Sequence, residues 1–208
     1  VTGDAVLETD VAVADGRIAA LGAGFEGKRE IDAEGTLVFP AGVDPHTHMA
    51  LPVGEYCSSD DFESGTIAAA CGGIGTIVDF TVGSPETTLP EDIRKRLSDA
   101  SGSVLDYALH AEIVGWNAKR AGEIREAAEM GIRSFKFFTA YEASGRRSES
   151  GALLRAFDAI ASLDGVALVH AEDESMIRTI LSEMSAGDKA KMSALPLSRP
   201  DFCEAAAI

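Results

Sequence analysis

Two histidines separated by a single residue, His46 and His48, are the side chains of this sequence best suited to bind a metal ion. They follow a short apolar stretch, and in an extended strand residues i and i+2 project to the same side. The spacing therefore predicts two imidazoles on one face, and neutral imidazole is a favoured ligand of zinc and similar ions. A His-x-His pair on its own is more often two surface histidines in a loop. Further candidate ligands are therefore needed to favour a metal site.

Lys136 is the second candidate, because it stands among Phe135, Phe137 and Phe138 in a stretch typical of a buried strand. Burying an unpaired ammonium group is costly or forces it to become neutral. A structural interpretation is that the side chain reaches solvent or pairs with a carboxylate such as Glu172. We favour a neutral amine that has reacted with CO₂, because the resulting carbamate is an anion whose two oxygens can bridge two metal ions.

Three further polar residues lie near the ends of apolar stretches. His170 closes one such stretch, and taken alone it would be interpreted as a core histidine. Together with the two histidines and the lysine it is predicted to be a metal ligand. We interpret His110 as a polar pocket residue rather than a ligand, and for Asp79 we give at least equal weight to a structural role, capping the following loop.

The chain divides into two patterns. Residues 1–36 indicate short strands with tight turns, and the Asp15-Gly16 pair between two apolar runs predicts a hairpin. From residue 37, apolar strands alternate with amphipathic helices at an interval of roughly 30 residues, the size of a βα unit. The predicted strands are 37–39, 75–80, 105–114, 132–138 and 166–170, and the predicted helices are 62–71, 91–100, 118–130, 152–163 and 174–184.

This alternation predicts an α/β fold with a parallel sheet and helical crossovers. A complete (β/α)₈ barrel typically needs about 250 residues, so about five βα units indicate a partial barrel of the TIM type. We therefore expect an N-terminal piece of a longer protein, and an open five-strand α/β sheet is the alternative. In a parallel barrel the carboxyl ends of all strands meet at one face, which would bring the candidate ligands together.

Composition narrows the class of protein. The chain has 208 residues, is 46% hydrophobic and carries a formal net charge of −16, which disfavours nucleic acids and anionic membranes as partners. The three cysteines, Cys57, Cys71 and Cys203, are scattered, which predicts no disulfide framework and indicates a cytoplasmic location. We expect Cys71 to be a small core residue.

These motifs together resemble the dihydropyrimidinase/hydantoinase family of the amidohydrolase superfamily. The resemblance spans nearly the whole chain and is carried by four segments, residues 42–52, 59–73, 131–141 and 169–172. His-x-His alone is common to many hydrolases. The continuation Met49-x-Leu51-Pro52 is more specific, because dihydroorotases and allantoinases usually have an Arg-Glu-Pro-like run there.

The resemblance implies a role for each matching residue. His46 and His48 would bind the more buried of two zinc ions, His170 would bind the more exposed one, and Lys136, as a carbamate, would bridge both. A hydroxide between the ions would attack a ring amide carbonyl of a dihydropyrimidine or hydantoin, giving an N-carbamoyl amino acid. Tyr141 would hydrogen-bond the substrate and the developing oxyanion.

The resemblance also implies parts that this sequence lacks. The family has a further histidine ligand and a proton-shuttling aspartate, for which no counterpart is present. We therefore expect residues 1–36 to be part of a β-sandwich domain and residues 37–208 to be a truncated barrel. Alone, the chain is expected to be inactive, to bind metal incompletely or not at all, and to associate with a second copy. Alternatives are an allantoinase-like or other cyclic imidase, or a non-catalytic relative used in assembly.

Overall fold

The computed structural model describes all 208 residues, which form two compact units, Val1–Gly42 and Val43–Ile208. The assignment of residues 1–36 and 37–208 to two domains of a larger protein stays a prediction. No helix of the chain combines the length and the hydrophobicity that crossing a bilayer would require.

The structure contains nine strands and eight α-helices. The strands are β1 Asp10–Ala14, β2 Arg17–Gly22, β3 Gly42–Thr47, β4 Pro52–Val53, β5 Tyr56–Cys57, β6 Ile74–Phe80, β7 Asp106–Glu112, β8 Ser134–Phe138 and β9 Val166–His170. The helices are α1 Phe62–Cys71, α2 Leu89–Asp99, α3 Arg120–Glu129, α4 Ser150–Ala161, α5 Glu174–Glu183, α6 Ala186–Lys189, α7 Ala194–Ser198 and α8 Asp201–Ala205. Two short 3₁₀ turns lie at Ala100–Gly102 and Glu142–Ser144.

The first unit contains the predicted hairpin. Strands β1 and β2 pair antiparallel around a two-residue turn. Asp15 and Gly16 have φ values of 51° and 71°, and two successive residues with positive φ are what a tight hairpin turn requires. Asp-Gly meets that requirement because aspartate tolerates the left-handed region and glycine adopts it without strain.

The second unit is built on a five-stranded sheet with the order β3-β6-β7-β8-β9. Strands β6 to β9 pair parallel, and a helix follows each of the strands from β6 to β9. This confirms the predicted fold class of a partial (β/α) barrel. The largest core cluster fills the space between the sheet and the helices and contains Ile93, Ile113, Ile124, Phe135, Phe137 and Ile160.

Local sequence signals fix where the helices begin after the strands. Helix α1 starts with a capping box formed by Asp61 and Ser64, and α2 starts with one formed by Thr88 and Glu91. Each box pairs backbone N–H groups of the first helical turn that would otherwise lack partners.

Two sequence-based expectations were wrong. The first barrel strand is Gly42–Thr47 and not 37–39, where the chain is irregular and the side chains are more than half exposed. Pro40 ends that apolar run and supplies no N–H for a ladder. His46 consequently lies in the strand rather than after it. Cys71, expected in the core, is exposed at the last residue of α1, and the buried thiol is that of Cys203.

Candidate functional site

The two histidines of the His-x-His pair lie at the carboxyl end of β3. Their ring centroids are 5.2 Å apart, and both rings lie against the buried ring of Phe80 at the end of β6, at 4.5 Å for His46 and 4.7 Å for His48. The ring of Phe80 is thus a shared packing surface for both imidazoles. The structure brings the two candidate ligands to one place.

The surroundings of both imidazoles favour the neutral form. Partial burial lowers the pKa of His46 below its usual value, and the positive charge of Lys136 lowers it further. Partial burial also lowers the pKa of His48, followed by the influence of His46. Because a histidine binds a metal ion only through an unprotonated nitrogen, the lowered pKa values favour the form that acts as a ligand.

His110 lies beside these rings but has both nitrogens occupied. Its Nε2 is 2.9 Å from the carbonyl oxygen of Pro45, which can only accept, so Nε2 carries the proton. Its Nδ1 then accepts a hydrogen bond from the Ser134 hydroxyl at 2.6 Å. His110 is buried and ties β3 to β8 across the inside of the sheet. This arrangement agrees with its interpretation as a polar residue that is not a ligand.

Lys136 lies in the middle of β8, and its side chain is 8% exposed. Its Nζ stands 5.0 Å from the centre of the Phe138 ring and has no carboxylate within salt-bridge distance. Glu112, its neighbour in register on β7, pairs with Arg146 instead, at 2.7 Å between Nε and Oε1. Burial lowers the pKa of the Lys136 amine, although the charge of Glu112 acts in the opposite direction. Neither the pairing with Glu172 nor full exposure, the structural alternatives, is present.

His170 ends β9 and is already engaged. Its Nε2 pairs with the Glu172 carboxylate, which also forms a salt bridge with Arg199. Thr139 holds Glu172 in place, because its hydroxyl donates to the Glu172 carbonyl at 2.9 Å and accepts from the Glu172 N–H at 2.8 Å. His170 is about a third exposed, so one edge of its ring remains open to solvent.

Tyr141 stands next to His170, with 5.1 Å between the ring centroids. Its backbone is left-handed, with φ 68° and ψ 41°, a conformation that costs energy for a residue with a Cβ. The Tyr141 N–H donates to Glu174 at 2.8 Å, and the Arg199 guanidinium lies 4.9 Å from the centre of the ring. These contacts hold the strained conformation and fix where the ring points.

The candidate residues therefore form two groups. The two-histidine cluster consists of His46, His48, Phe80, His110 and Lys136, and the His170 cluster consists of Phe138, Tyr141, His170, Glu172 and Arg199. Phe138 connects the two clusters. Its ring centroid is 5.8 Å from that of His170, and the Lys136 Nζ lies over its face at 5.0 Å.

Unmodified side chains do not complete a metal site by themselves. No three histidine, cysteine, aspartate or glutamate side chains come together with metal-binding geometry. The candidate set instead includes a lysine, which offers oxygen ligands only as a carbamate. A cleft of about 250 Å³ opens beside the His170 cluster, lined in part by Thr139, Glu172 and Glu174.

The sequence did not reveal the arginines of the site. Arg96 forms a buried ion pair with Asp79, and Arg199 compensates Glu172. A signal for Arg96 was present, because it occupies the same helical stripe as Leu89 and Ile93 and a cation on an apolar stripe needs a buried partner. The sequence contains no comparable signal for Arg199.

The fold and the residues at the carboxyl ends of its strands define a (β/α)-barrel protein, and comparison with known proteins places it further. No family model matches the chain. It is 39% identical over 181 residues to the D-hydantoinase of Geobacillus stearothermophilus, an alignment that covers 85% of this chain and 38% of that protein. It is 34% identical over 207 residues to the dihydropyrimidinase of Rattus norvegicus, covering 95% of this chain and 40% of that protein.

Solved structures give the same result. A D-hydantoinase structure superposes with a TM-score of 0.94 at 33% identity, covering the whole of this chain and 46% of that one. A second D-hydantoinase structure has a TM-score of 0.90 at 35% identity, covering 96% of this chain and 44% of that one. The chain belongs to the dihydropyrimidinase/hydantoinase family of the amidohydrolase superfamily. It spans less than half the length of the relatives it matches.

Proposed function

We propose that the protein carrying this chain is a zinc-dependent cyclic amidohydrolase that opens hydantoins or dihydropyrimidines to N-carbamoyl amino acids. The single observation that carries the proposal is the Lys136 side chain, which is largely buried on β8, has no carboxylate within salt-bridge distance and places its Nζ 5.0 Å from the centre of the Phe138 ring. The relatives named D-hydantoinase and dihydropyrimidinase favour these rings over that of allantoin.

The residues present fit a pair of metal ions. His46 and His48 offer neutral imidazoles, His170 offers a third, and Lys136 offers an amine that can become an anionic carbamate. Carbamate formation also removes the cost of a buried, unpaired ammonium, because the new negative charge is compensated by the ions. When bound, the zinc ions lower the pKa of a coordinated water and polarise the ring carbonyl.

Tyr141 would orient the ring amide and donate a hydrogen bond from its hydroxyl to the carbonyl oxygen as negative charge develops there. Its support is the left-handed backbone, held by the bond to Glu174 and by Arg199, which fixes the phenol beside His170. A donor held in advance costs no reorganisation during the reaction.

The 208 residues and the whole protein differ in the parts of the site that they contain. The chain has four candidate ligands and no counterpart of the proton-shuttling aspartate that the family resemblance implies. We propose that these residues alone bind metal incompletely and do not hydrolyse the substrate, whereas the complete gene product is a cytoplasmic homo-oligomer that does. In that protein residues 1–36 belong to a β-sandwich domain and residues 37–208 to the catalytic barrel.

Substitution of the lysine in the complete gene product tests the proposal. Lys136→Ala should abolish hydantoin ring opening and lower the zinc content, and the carbamate carbon signal seen by ¹³C NMR after labelling with ¹³C-bicarbonate should disappear. Lys95→Ala is the matched control, because Lys95 is exposed and pairs only with Asp99 on α2. Retained ring opening in Lys136→Ala, or a carbamate signal that persists, would mean that the assignment is wrong.

A further inference from the structure

A buried ion pair lies directly behind the two-histidine cluster. Asp79 on β6 is 0% exposed and Arg96 on α2 is 3% exposed. The Arg96 Nε donates to Asp79 Oδ1 at 2.9 Å. Removing two charges from water is costly, and apolar residues of similar volume often stabilise a fold as well as or better than such a pair. The other contacts of this ion pair therefore indicate whether it has a role besides stability.

The pair holds the backbone immediately after His48. The Met49 N–H donates to Asp79 Oδ2 at 2.8 Å, and the Met49 carbonyl accepts from Arg96 Nη2 at 2.6 Å. Both polar groups of the Met49 backbone are thus bound to the same ion pair. The Thr47 hydroxyl also donates to Asp79 Oδ2, at 3.2 Å. The residues on either side of His48 are consequently fixed by one carboxylate.

The side chain of Met49 is fixed as well. It packs against Phe62 in the core between α1 and the sheet. A Cβ at Gly65 of α1 would lie 2.3 Å from the Met49 sulfur, so the absence of a side chain there is what admits Met49. The Arg96 guanidinium lies 4.7 Å from the centre of the Phe62 ring. Backbone and side chain of Met49 are therefore anchored by the same neighbourhood.

We infer that Asp79 and Arg96 are positioning residues that hold His48 in its metal-binding orientation before any ion arrives. The inference rests on the proposed function in that it takes His48 to be a ligand. A ligand fixed in advance loses less conformational entropy on binding, so the pair strengthens metal affinity without touching the ion. His46, two residues earlier, is positioned separately by its place in β3.

The test uses the complete gene product, with zinc affinity measured by chelator competition and backbone mobility by hydrogen exchange of residues 47–50. Arg96→Met should weaken zinc binding by about 10- to 100-fold, the range known for residues that orient metal ligands. It should also speed exchange of the Met49 amide. Arg96→Lys retains a charge for Asp79 but loses the forked geometry that reaches Met49, so it should fold and give an intermediate loss.

Arg120→Met is the matched control. Arg120 is equally buried and ion-paired, with Glu123, and it donates to backbone carbonyls, but none of its partners belongs to residues 47–50. We expect a comparable loss of thermal stability with zinc affinity unchanged. In a His48→Ala background, Arg96→Met should weaken zinc binding no further.

The outcomes are separable from those of the proposed function. Equal losses of zinc affinity in Arg96→Met and Arg120→Met, or a full further loss in the His48→Ala background, would overturn the inference and leave the proposed function standing. If the unaltered protein binds no zinc, the proposed function fails, and the positioning role fails with it because it takes His48 to be a ligand. Equal exchange of the Met49 amide in Arg96→Met and Arg120→Met, in a protein that does bind zinc, would refute the positioning role alone.

Discussion

The two-histidine cluster and the His170 cluster occupy neighbouring strand ends but are built on different principles. In the first, His46 and His48 have no carboxylate partner and lie against the ring of Phe80, while the Asp79–Arg96 ion pair binds the backbone that follows His48. In the second, His170 is itself part of a chain of charges through Glu172 to Arg199. The first cluster offers two imidazoles that have no carboxylate partner. The second offers an imidazole that is already paired with the Glu172 carboxylate.

This difference assigns different tasks to the two groups. Unpaired, neutral imidazoles on a fixed backbone are suited to holding an ion tightly. A partly exposed imidazole with a carboxylate, an arginine and a strained tyrosine around it is suited to the side of the site where substrate enters. Lys136 belongs to the two-histidine cluster and also contacts the His170 cluster, because its Nζ lies 5.0 Å from the centre of the Phe138 ring.

The largest expected effect comes from removing a ligand of the two-histidine cluster. His46→Ala or His48→Ala in the complete gene product should remove a tightly held ion. The rate of hydantoin ring opening should fall by more than about 100-fold, which is the upper limit typical of residues that only orient metal ligands. Metal analysis and steady-state kinetics measure both. His110→Gln is the control, since His110 is bonded through both nitrogens and should lose stability but keep its metal. Loss of metal in that control would place His110 among the ligands.

Next in size is the effect of the tyrosine hydroxyl. Tyr141→Phe should lower kcat by about 10²- to 10³-fold, the usual cost of losing one oxyanion donor, with metal content unchanged. Tyr107→Phe, a partly buried tyrosine that packs near Phe62, should leave kcat unaltered. If Tyr141→Phe retains full kcat, the hydroxyl is not the donor.

A smaller effect is expected from Glu172, which compensates His170 without being a candidate ligand. Glu172→Gln should weaken the second zinc ion by about 10-fold and leave the first unchanged, because only the His170 cluster loses its carboxylate. A two-step zinc titration resolves the ions. Glu142→Gln removes a carboxylate from exposed salt bridges with Arg147 and Arg178 and is the control. Equal weakening of both ions would contradict the separation of the clusters.

The smallest effect lies outside both clusters, at Asp92 on α2. Burial raises the pKa of this carboxyl above its usual value, and its Oδ2 is buried without a hydrogen-bond partner. Because the pKa is higher in the folded state, ionisation costs stability above the folded pKa, and this cost disappears as the pH falls below the unfolded pKa. Asp92→Asn should therefore stabilise the protein at pH 7 by on the order of 1 kcal/mol, with the gain shrinking on acidification. Thermal unfolding at several pH values measures it, and a gain that grows in acid would contradict the assignment.

Much of the fold could be predicted because apolar strands and amphipathic helices alternate along the sequence. Four of the five sheet strands overlap the predicted ranges, since buried parallel strands are continuous apolar runs. The first strand could not be recognised from its composition. Gly42–Thr47 contains Asp44 and Pro45 and is strand only through its neighbour β6, whereas the more apolar residues 37–39 lack such a neighbour.

The candidate ligands could also be proposed from sequence, because each is a histidine or lysine within or next to an apolar run. The contacts that position these ligands could not be predicted from the sequence. The contact between Asp79 and Arg96 joins a strand to the following helix, and both bind the backbone of Met49, which lies in the turn after β3. The left-handed backbone of Tyr141 likewise depends on Glu174, which follows the next strand. Such contacts arise only once the sheet is assembled.

We propose that the two clusters together would hold one pair of metal ions, with Lys136 as a carbamate serving both. The most direct test is elemental analysis of the complete gene product, purified without chelators and compared with its Lys136→Ala variant. We expect about two zinc-like ions per chain, the stoichiometry of a two-metal hydrolase, and a clear loss of metal in the variant. A folded protein free of metal, or a variant that retains both ions, would contradict it.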